Sequence, residues 1–530
     1  MINFDKYRKQ LLADEYNSAE MKKYRQSGIV LIYPNTYDVG ISNLGFNKIY
    51  KIINDSEDFF CERGFLYKSP FETTAKSLES GTVYSKFDII GFSINFELDL
   101  FNIVKILNNA KVPVFACDRS EKDPILIAGG NQLAINPAPL LDIFDILFIG
   151  EGEELIVKFL KTYSEKRGEK KSEILDRLKN ETSILIPSKV SKNKPFQVKR
   201  AYVRDLKDIK YYPPVVTKNS HMSNSYLIET GRGCGRGCRF CAAHSIYRPV
   251  RFLDFEHIKS VIENHTEDLN RIGLVGASIS DHPQLEKIVR YLAETNRKIG
   301  LSSFRPDRIS EGFLKNLSQC GLKSITIAPE AGSEYLRNRI NKKISDEQIF
   351  NAVKLLAASK IKSLKLYFMA GLPGETDKDI DALISMVKKI HEIFVLDVVR
   401  EGRIKLSINI FVPKPFTVFQ FADLSGIRDS DRKRKYIFKE LRRLKNLSFS
   451  SKGKRLELIQ GIIAQGTAKI SVLLNESEGD YSKFLKLFRS NEDSSLIYKK
   501  KTKETPLPWE IIDNGINRSK LWNEYCRVVN

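Results

Sequence analysis

The sequence predicts an α/β protein made of two successive series of strands and helices, followed by a small basic C-terminal region. Three observations predict this class. Short apolar runs that end in polar or glycine residues alternate with helical stretches, first from Gly28 and again from Ser225, as they do in α/β proteins. The chain has 530 residues, too many for one ordinary domain. Beyond about Leu424 the alternation fades and basic residues dominate.

These shifts in pattern predict the boundaries of the domains. We expect an exposed amphipathic helix over 1–27, a doubly wound, Rossmann-like sheet over 28–190, a polar linker over 191–224, a partial parallel barrel over 225–425 and a basic C-terminal domain over 426–530. The two α/β regions predict the same place for their ligands. A doubly wound sheet and a parallel barrel both bind ligands at the carboxyl ends of their strands.

The first series contains four apolar runs that we predict as strands, each followed by a glycine or a polar turn. The runs are "IVLIYPN" (Ile29–Asn35), "FDIIGFSIN" (Phe87–Asn95), "PILIAGG" (Pro124–Gly130) and "DILFIG" (Asp145–Gly150). Between and after them, "ISNLGFNKIYKIIN" and "EELIVKFLKTY" have the spacing of helices. Strand, glycine turn and helix in repetition is the doubly wound pattern.

The second series contains six such runs, mostly separated by helical stretches, which favours a (β/α)6 partial barrel over a second open sheet. They are "SYLIET" (Ser225–Thr230), "RIGLVGASISD" (Arg271–Asp281), "IGLSSF" (Ile299–Phe304), "SITIAPEAGS" (Ser324–Ser333), "LKLYFMAGLPGET" (Leu364–Thr376) and "LSINIFVPKPF" (Leu406–Phe416). In such barrels the chemistry lies at the carboxyl-end loops.

The composition places the chain among water-soluble proteins. Hydrophobic residues make up 42% of it and charged residues 28%. The charged start argues against a secretory signal, and we find no run of 18 apolar residues that would span a membrane. We therefore expect a cytoplasmic protein.

The net charge of +21 suggests a polyanionic partner such as RNA, an anionic membrane surface, or basic residues spread over solvated faces. Arg432–Arg455 is the best nucleic-acid candidate. The same stretch also fits an amphipathic helix with Tyr436, Ile437, Leu441 and Leu444 on its apolar side.

Three of the seven cysteines lie in one glycine-rich loop directly after the first predicted barrel strand. Cys234, Cys238 and Cys241 have C-x3-C-x2-C spacing. Three thiolates suit an iron–sulfur cluster that keeps one iron open for a substrate or cofactor. A structural zinc ion with His244 as the fourth ligand is the alternative, and we favour the cluster because an open metal suits the active face of a barrel. Cys320 precedes a strand and is expected in the core. The sequence indicates no role for Cys526.

The cysteine loop, with Phe240 before the third cysteine, resembles the radical S-adenosylmethionine (radical SAM) superfamily. Further blocks in the same order along almost the whole chain resemble a branch of it with an N-terminal cobalamin-binding-like domain. They include "YPNTYDVGISNLG", "GLVGASISDHPQ", "TIAPEAGSEYLRNRINK" and "LYFMAGLPGET". Departures at Val418 and in "AQGTAKISVLL" put a shared substrate in doubt.

The resemblance implies a function and its cofactors. The implied enzyme binds a [4Fe–4S] cluster, cleaves S-adenosylmethionine reductively to a 5′-deoxyadenosyl radical and uses cobalamin to methylate an unactivated carbon. An electron donor such as flavodoxin or ferredoxin is implied as well. A cobalamin-free radical enzyme that modifies RNA, for example, and a non-catalytic, metal-stabilised RNA-binding protein are the alternatives.

The resemblance also implies site residues. The cluster is assigned to Cys234, Cys238 and Cys241. The binding of S-adenosylmethionine is assigned to the carboxyl-end loops at Phe240, Gly276, Ala277, Ser303, Arg305, Glu330, Arg337 and Gly371. Glu330 and Arg337 are also compatible with a surface ion pair.

Loops of the first domain are candidates for cobalamin. They contain Asn35, Tyr37, Gly40, Ser93, Glu97, Gly129, Gly130, Asn131 and Gly152. The first histidine of the chain is His221, so this domain has no histidine to ligate cobalt, and a bound cobalamin would be of the His-off kind. A domain without cobalamin that docks the substrate is the alternative.

Overall fold

The structure is a computed structural model, and it describes residues 3–16, 27–190, 197–209, 215–266, 269–359, 361–398, 402–491 and 497–529. The chain divides into two compact units. Unit 1 comprises residues 1–224, 462–496 and 506–516, and unit 2 comprises residues 225–461, 497–505 and 517–530. The two predicted series of strands therefore lie in separate units that meet in sequence at residue 225.

The strands, in chain order, are β1 (Glu15–Tyr16), β2 (Ser27–Tyr33), β3 (Phe59–Phe65), β4 (Ile89–Ser93), β5 (Ile125–Gly129), β6 (Ile146–Phe148), β7 (Ile184–Leu185), β8 (Val198–Lys199), β9 (Val216–Thr217), β10 (Tyr226–Arg232), β11 (Arg251–Phe252), β12 (Arg271–Gly276), β13 (Lys298–Gly300), β14 (Ser324–Glu330), β15 (Ser363–Ala370), β16 (Arg403–Ile410), β17 (Leu447–Ser450) and β18 (Ile512–Asp513).

The helices are α1 (Phe4–Ala13), α2 (Tyr37–Gly40), α3 (Leu44–Asp55), α4 (Asp99–Ala110), α5 (Asn131–Ile135), α6 (Glu153–Glu165), α7 (Lys171–Leu178), α8 (Ala243–Ile246), α9 (Phe255–His265), α10 (Leu285–Glu294), α11 (Glu311–Gln319), α12 (Glu334–Arg339), α13 (Asp346–Ala358), α14 (Asp377–His391), α15 (Ile427–Leu441), α16 (Lys454–Gln465), α17 (Lys469–Glu476), α18 (Tyr481–Ser490) and α19 (Arg518–Val529).

Unit 1 is built on a six-stranded sheet with the order β3-β2-β4-β5-β6-β7. Neighbours from β3 to β6 are parallel, and β7 runs antiparallel to β6. All of β2 is buried, which explains its unbroken apolar run, since parallel sheets are covered on both faces. With β2 counted first, the parallel strands have the doubly wound order 2-1-3-4-5, whose switch point lies between the first and third strands. In unit 1 that point is at the carboxyl ends of β2 and β4.

Among the described residues, unit 2 carries seven parallel strands in chain order, the six predicted ones and the short β17 after them. β10, β12 and β13 pair in one sheet, and β14, β15 and β16 pair in a second. A parallel bridge between Phe304 and Ile327 connects the two sheets, and the Phe304 N–H donates to the Thr326 carbonyl at 2.8 Å. The short strands β11 and β17 lie at the outer edges. All six apolar runs of the second series therefore form strands, in the order of a partial barrel.

Side-chain caps fix where several helices of unit 2 begin. The Ser310 hydroxyl accepts the N–H of Phe313 at 3.2 Å, and the Asp254 carboxylate accepts that of His257 at 2.8 Å. Ser345 and Gln348 form a reciprocal capping box at α13. Such caps satisfy N–H groups that a helix leaves without internal partners, so these three helices start directly after a polar residue.

Three predicted regions differ from the structure. The helix predicted over 1–27 ends at Ala13, and Glu15–Tyr16 after it form β1. The region from 426 is not a domain of its own, because α15 packs on β15 and β16 in unit 2 while α17 and α18 belong to unit 1. There the ring of Phe101 in α4 contacts Tyr481 and Phe484 of α18. Each of these amphipathic helices buries its apolar face within its own unit.

The predicted linker is also not a simple connector. Of its residues, 191–196 and 210–214 lie outside the described part of the chain, as do 17–26 of the predicted N-terminal helix. The described remainder of the linker forms β8, which pairs with β18, and β9, which pairs with β1. Among the described residues, no helix is long and apolar enough to cross a membrane.

Candidate functional site

The cysteine loop, residues 233–242, follows β10 directly and leads into α8. Gly233 and Gly237 have φ values of +89° and +65°, a region that side chains other than glycine rarely adopt. A Cβ on Gly233 would lie 2.7 Å from the Tyr247 carbonyl oxygen. The Cys241 N–H donates to the Cys238 carbonyl at 3.1 Å. The glycines thus let the backbone turn tightly enough to bring the half-buried thiols into one short loop.

The loop after β12 and the loop after α12 support the cysteine loop. The Asn341 side-chain amide donates to the Gly237 carbonyl at 2.9 Å, and the Ser278 hydroxyl donates to the Gly233 carbonyl at 3.2 Å. The Arg236 guanidinium pairs with Asp281. These anchors were not identified from the sequence, although Asn341 lies in the quoted block "NRINK" and Ser278 and Asp281 lie in "GASISD".

A third anchor joins the cysteine loop to the C-terminal helix. The Arg239 Nε donates to Glu524 Oε1 of α19 at 2.8 Å, and the Arg239 carbonyl accepts the Phe419 N–H at 3.1 Å. Both contacts lie within unit 2. The last helix of the chain therefore helps to hold the loop in place.

Burial sets the electrostatics of the thiols. It raises the pKa of Cys238 to about 11, although the nearby Lys342 ammonium lowers it, and it also raises the pKa of Cys241. Metal-bound cysteines are thiolates, so metal binding at this loop releases protons.

The donor set fits a three-thiolate [4Fe–4S] cluster. In such a cluster the cysteine thiolates bind different irons, so their sulfurs need not converge on one point. Within the described ranges, no group of three or more His, Cys, Asp or Glu side chains is arranged around a single metal ion. The Nδ1 of His244 lies 2.9 Å from the Cys234 carbonyl.

Residues predicted to bind S-adenosylmethionine lie at the carboxyl ends of successive strands. Gly276 is the last residue of β12, Glu330 is the last of β14 and Gly371 follows β15 directly. Ala277 and Ser303 are exposed beside them, and Phe240 in the cysteine loop is half-buried. Because carboxyl ends of neighbouring parallel strands meet at one edge, these positions share the edge that carries the cysteine loop.

Glu330 combines a strained backbone with an ion pair. Its φ is +72°, and such strain in a non-glycine residue clusters at functional sites. Lys342 Nζ donates to Glu330 Oε1 at 3.0 Å. Burial alone would lower the pKa of Lys342, but Glu330 and Cys238 raise it. Lys342 is a site residue that sequence reasoning missed, and it places a positive charge between the carboxylate and the cysteine loop.

Two predicted ligand-binding arginines instead hold the loops together. Arg337 is fully buried. It donates to the carbonyls of Ala331, Gly332 and Ile344 at 3.2, 2.7 and 2.7 Å and pairs with Asp346. Arg337 is therefore neither a surface ion pair nor a ligand contact, and both predictions for it are corrected. It is a positioning residue that holds segment 331–346 in place.

Arg305 is also largely buried. Its Nε donates to Asp307 at 2.9 Å, and its Nη atoms donate to the carbonyls of Lys342 and Lys343 at 3.1 and 3.2 Å. It therefore fixes the backbone of the residue that pairs with Glu330.

Gly371 cannot be replaced without moving its surroundings. Its φ is +86°, and an added Cβ would lie 2.0 Å from Ser430 Oγ. We expect Gly371→Ala to lower the free energy of unfolding of unit 2 by about 1–3 kcal/mol, measured by urea unfolding. Gly312→Ala is the control, because nothing lies within 4 Å of a Cβ there and alanine suits its helix α11. Equal stability of Gly371→Ala and wild type would contradict this account.

The candidate nucleic-acid stretch Arg432–Arg455 is partly neutralised. It contains most of α15, in which Ile437 and Leu441 are fully buried as predicted, whereas Tyr436, also predicted on the apolar side, is 42% exposed. Lys433 and Arg434 are also buried, and they pair with Glu375 at 3.4 Å and with Glu457 at 2.8 Å. These two basic residues therefore stabilise unit 2 and do not form a basic surface. Cys320 is buried, as predicted.

In unit 1, several predicted cobalamin-loop residues gather at the switch point. Asn35 after β2 donates its side-chain amide to Asp99 Oδ1 at 3.1 Å. Gly130 after β5 has a φ of +116°, and a Cβ there would lie 2.3 Å from the Ile94 carbonyl oxygen. Ser93 ends β4, Gly129 ends β5, Asn131 begins α5 and Gly152 precedes α6. The edge at the carboxyl ends of β2, β4 and β5 is thus polar. The backbone after β4 and the backbone after β5 lie in close contact there.

Other predicted loop residues belong to the core of unit 1. Tyr37 is buried, and its hydroxyl donates to Glu15 Oε1 at 2.6 Å. A Cβ on Gly40 would lie 2.7 Å from the Phe65 ring, and Glu97 is only 2% exposed. The structure places these three side-chain positions in the interior of the unit.

Asp99 gives unit 1 a predicted pH dependence. Burial raises its pKa to about 6, although hydrogen bonds from Asn35 and Phe96 lower it. Between about pH 4 and 6 the unfolded chain ionises this carboxyl while the folded chain keeps it protonated. Stability therefore falls by on the order of 2–3 kcal/mol as the pH rises through this window.

Asp99→Asn removes the carboxyl group, so we expect the variant to lose this fall in stability with pH. Its free energy of unfolding relative to that of wild type should therefore increase from pH 4 to 6.5, measured by urea unfolding. The exposed Asp118→Asn substitution gives the baseline. Parallel curves for wild type and Asp99→Asn would contradict the assignment.

Comparisons with known proteins identify two matching families. Residues 45–187 match the family described as "Radical SAM proteins, N-terminal", and residues 228–387 match the "Radical SAM superfamily". An uncharacterised protein of Methanocaldococcus jannaschii is 29% identical over 86% of this chain and 91% of its own length. The tRNA-2-methylthio-N(6)-dimethylallyladenosine synthase of Clostridium botulinum is 24% identical over 34% of this chain and 42% of its own length.

The fold also resembles that of a solved structure. The radical S-adenosylmethionine methyltransferase TsrM of Kitasatospora setae, with cobalamin and a [4Fe–4S] cluster bound, superposes with a TM-score of 0.52 at 13% identity, covering 75% of this chain and 77% of that protein. At this identity the likeness concerns the fold, and it spans both α/β series.

Proposed function

This chain belongs to the radical SAM superfamily, and from that premise we propose that it is a cobalamin-dependent methyltransferase acting on an unactivated carbon. One observation carries the proposal: the chain joins a cysteine loop at the carboxyl edge of parallel strands to a doubly wound unit with a polar edge at its switch point. That edge is where a sheet of this order binds a cofactor. The shared fold with a cobalamin-bound methyltransferase supports the same function.

The roles of the residues follow from their places. Cys234, Cys238 and Cys241 hold the cluster, and the edge at Gly276, Glu330 and Gly371 receives S-adenosylmethionine. When bound, these two cofactors supply a 5′-deoxyadenosyl radical by one-electron reduction, and cobalamin supplies a methyl group. The Lys342 ammonium stabilises the Glu330 carboxylate at this edge. A one-electron donor of the flavodoxin or ferredoxin kind is the partner that this chemistry needs.

Asn35, Ser93, Gly130 and Asn131 form the proposed cobalamin edge of unit 1. Their polar groups and the close approach of the backbone at Gly130 suit a ligand with a flat face and many amide groups. Residues 28–190 contain no histidine, and the Nε2 of His221, which the structure adds to unit 1, lies 3.4 Å from an Asp38 carboxylate oxygen. The proposed binding is therefore of the His-off kind.

Retention of corrinoid tests the proposal. The protein is purified without oxygen, reconstituted with iron, sulfide and hydroxocobalamin, and gel-filtered. We expect about one corrinoid per chain in the wild type, much less in Asn131→Trp, whose ring fills the edge, and wild-type retention in Lys158→Trp on the exposed side of α6. If wild type elutes without corrinoid but still cleaves S-adenosylmethionine, the cobalamin-free radical enzyme becomes the function.

A further inference from the structure

One face of the parallel strands β14–β16 is open and polar. Along these strands buried and accessible residues alternate, so that Leu366, Phe368 and Leu406 face the helices while the other set faces the interior of the partial barrel. The accessible set includes Thr326 on β14, then Lys365, Tyr367 and Met369 on β15, and Arg403, Lys405, Ser407 and Asn409 on β16. Parallel sheets are normally covered on both faces. An open interior face therefore has room for an occupant.

This interior face carries three cations without partners. Lys365 and Lys405 are in register on neighbouring strands, which lie about 4.8 Å apart, and Arg403 is two residues before Lys405 on the same face. Within the described ranges, none of the three side chains has a hydrogen-bond or ion-pair partner. Glu330, the carboxylate on the same face of β14, pairs with Lys342 instead. Like charges directly opposite each other destabilise a sheet. An anion bound between the cations would therefore reduce their repulsion and stabilise the folded protein.

The position of the cations relates them to the proposed reaction edge. Lys365 is five residues before the end of β15 at Ala370, a distance of roughly 16 Å along the strand. Between the cations and the edge, Tyr367 is in register with Ser407, and Met369 is in register with Asn409. Tyr367 is 42% exposed on this face. A molecule held by the cations would thus extend past an aromatic ring and an amide towards the cysteine-loop edge.

Building on the proposed function, we propose that the substrate is a small molecule with a terminal phosphate or carboxylate, and that Lys365, Arg403 and Lys405 bind this anionic end. A small molecule fits better than a nucleic-acid strand because the cations lie on the strands inside the barrel. In addition, Lys433 and Arg434, in the basic stretch on the outside, are already paired. The three cations are specificity-determining residues, and the reacting carbon lies at the other end of the substrate.

Anion binding tests this inference without any catalytic assay. Thermal unfolding of the full chain is measured with inorganic phosphate and, separately, with malonate, each against chloride at equal ionic strength. We expect each effective anion to raise the wild-type melting temperature by about 1–3 °C at millimolar concentration. Lys405→Gln should melt higher than wild type in chloride, because the repulsion is gone, and should lose the anion response. A response to phosphate alone identifies a phosphate end, and one to malonate alone a carboxylate end.

Lys354→Gln is the matched control, an exposed lysine of the outer helix α13 that should keep the wild-type response. If Lys405→Gln does not fold, Lys365→Gln takes its place. Equal anion responses in wild type and Lys405→Gln would overturn the inference, as would stabilisation by a short RNA but by neither anion. Cleavage of S-adenosylmethionine is followed in the same wild-type preparation. Failed cleavage with an intact anion response would count against the proposed function, whereas failed anion binding in an active enzyme would count against this inference alone.

Discussion

Cys238→Ala is expected to lower the iron bound after anaerobic reconstitution at least about tenfold from the roughly four irons per chain of a [4Fe–4S] protein. Cys238 lies at the centre of the cysteine loop, between Gly237 with its positive φ and the Cys241 turn. Without its thiolate, only two cysteine ligands remain in the loop, and the carbonyls of Gly237 and Gly233 are already taken by Asn341 and Ser278. Iron and sulfide analysis measures the loss.

Cys117→Ala is the control for that substitution. Cys117 is an exposed cysteine of unit 1 outside the loop, and its removal should leave the iron content unchanged. Full iron content in Cys238→Ala, or an equal loss in both variants, would contradict the assignment of the cluster. Circular dichroism of the iron-free proteins separates loss of the ligand from loss of the fold.

Arg63→Met is expected to lower the free energy of unfolding of unit 1 by about 3–5 kcal/mol, because it leaves two carboxylates buried without the cation that neutralises them. Arg63 is fully buried in β3. Its guanidinium donates to Glu15 at 2.8 and 3.0 Å and to Glu79 at 2.5 Å, and it lies over the Tyr50 ring at 4.9 Å. Urea unfolding measures the change.

The matched control for Arg63 is Lys51→Met on α3. Lys51 pairs with Asp55 on an accessible surface, where such pairs contribute well under about 1 kcal/mol. The triple change Arg63→Met, Glu15→Leu and Glu79→Met should recover much of the loss, since apolar groups can replace a whole buried ion network. A loss of the same size in Lys51→Met and Arg63→Met would contradict the account.

The sequence predicted the strands that are buried and apolar but not the strand that carries charge. β3 has the sequence "FFCERGF", in which Glu62 and Arg63 interrupt the run of apolar residues. The charges are tolerated because residues from elsewhere in the chain supply partners: Glu15 and Glu79 pair with Arg63, and Ser80 donates to Glu62. Such pairing depends on the fold, and no local pattern in the sequence indicates it.

The candidate site was predictable where its chemistry depends on residue type and spacing. The cysteines and the glycine and acidic residues at strand ends belong to local patterns, and the structure places them at one edge of unit 2. Residues that hold this edge together were not predictable, because Asn341, Lys342 and Arg337 act through contacts set by the loop after α12. For the same reason Lys433 and Arg434 looked like a basic surface, although they are paired with Glu375 and Glu457.

The central claim is that this chain performs radical chemistry with S-adenosylmethionine, and formation of 5′-deoxyadenosine tests it most directly. Wild type and Cys238→Ala are reconstituted without oxygen, mixed with dithionite and S-adenosylmethionine, and sampled over time by liquid chromatography with mass detection. The account predicts 5′-deoxyadenosine from the wild type, dependent on the reductant, and only background from Cys238→Ala. Background levels from a wild type that carries its full iron would contradict it.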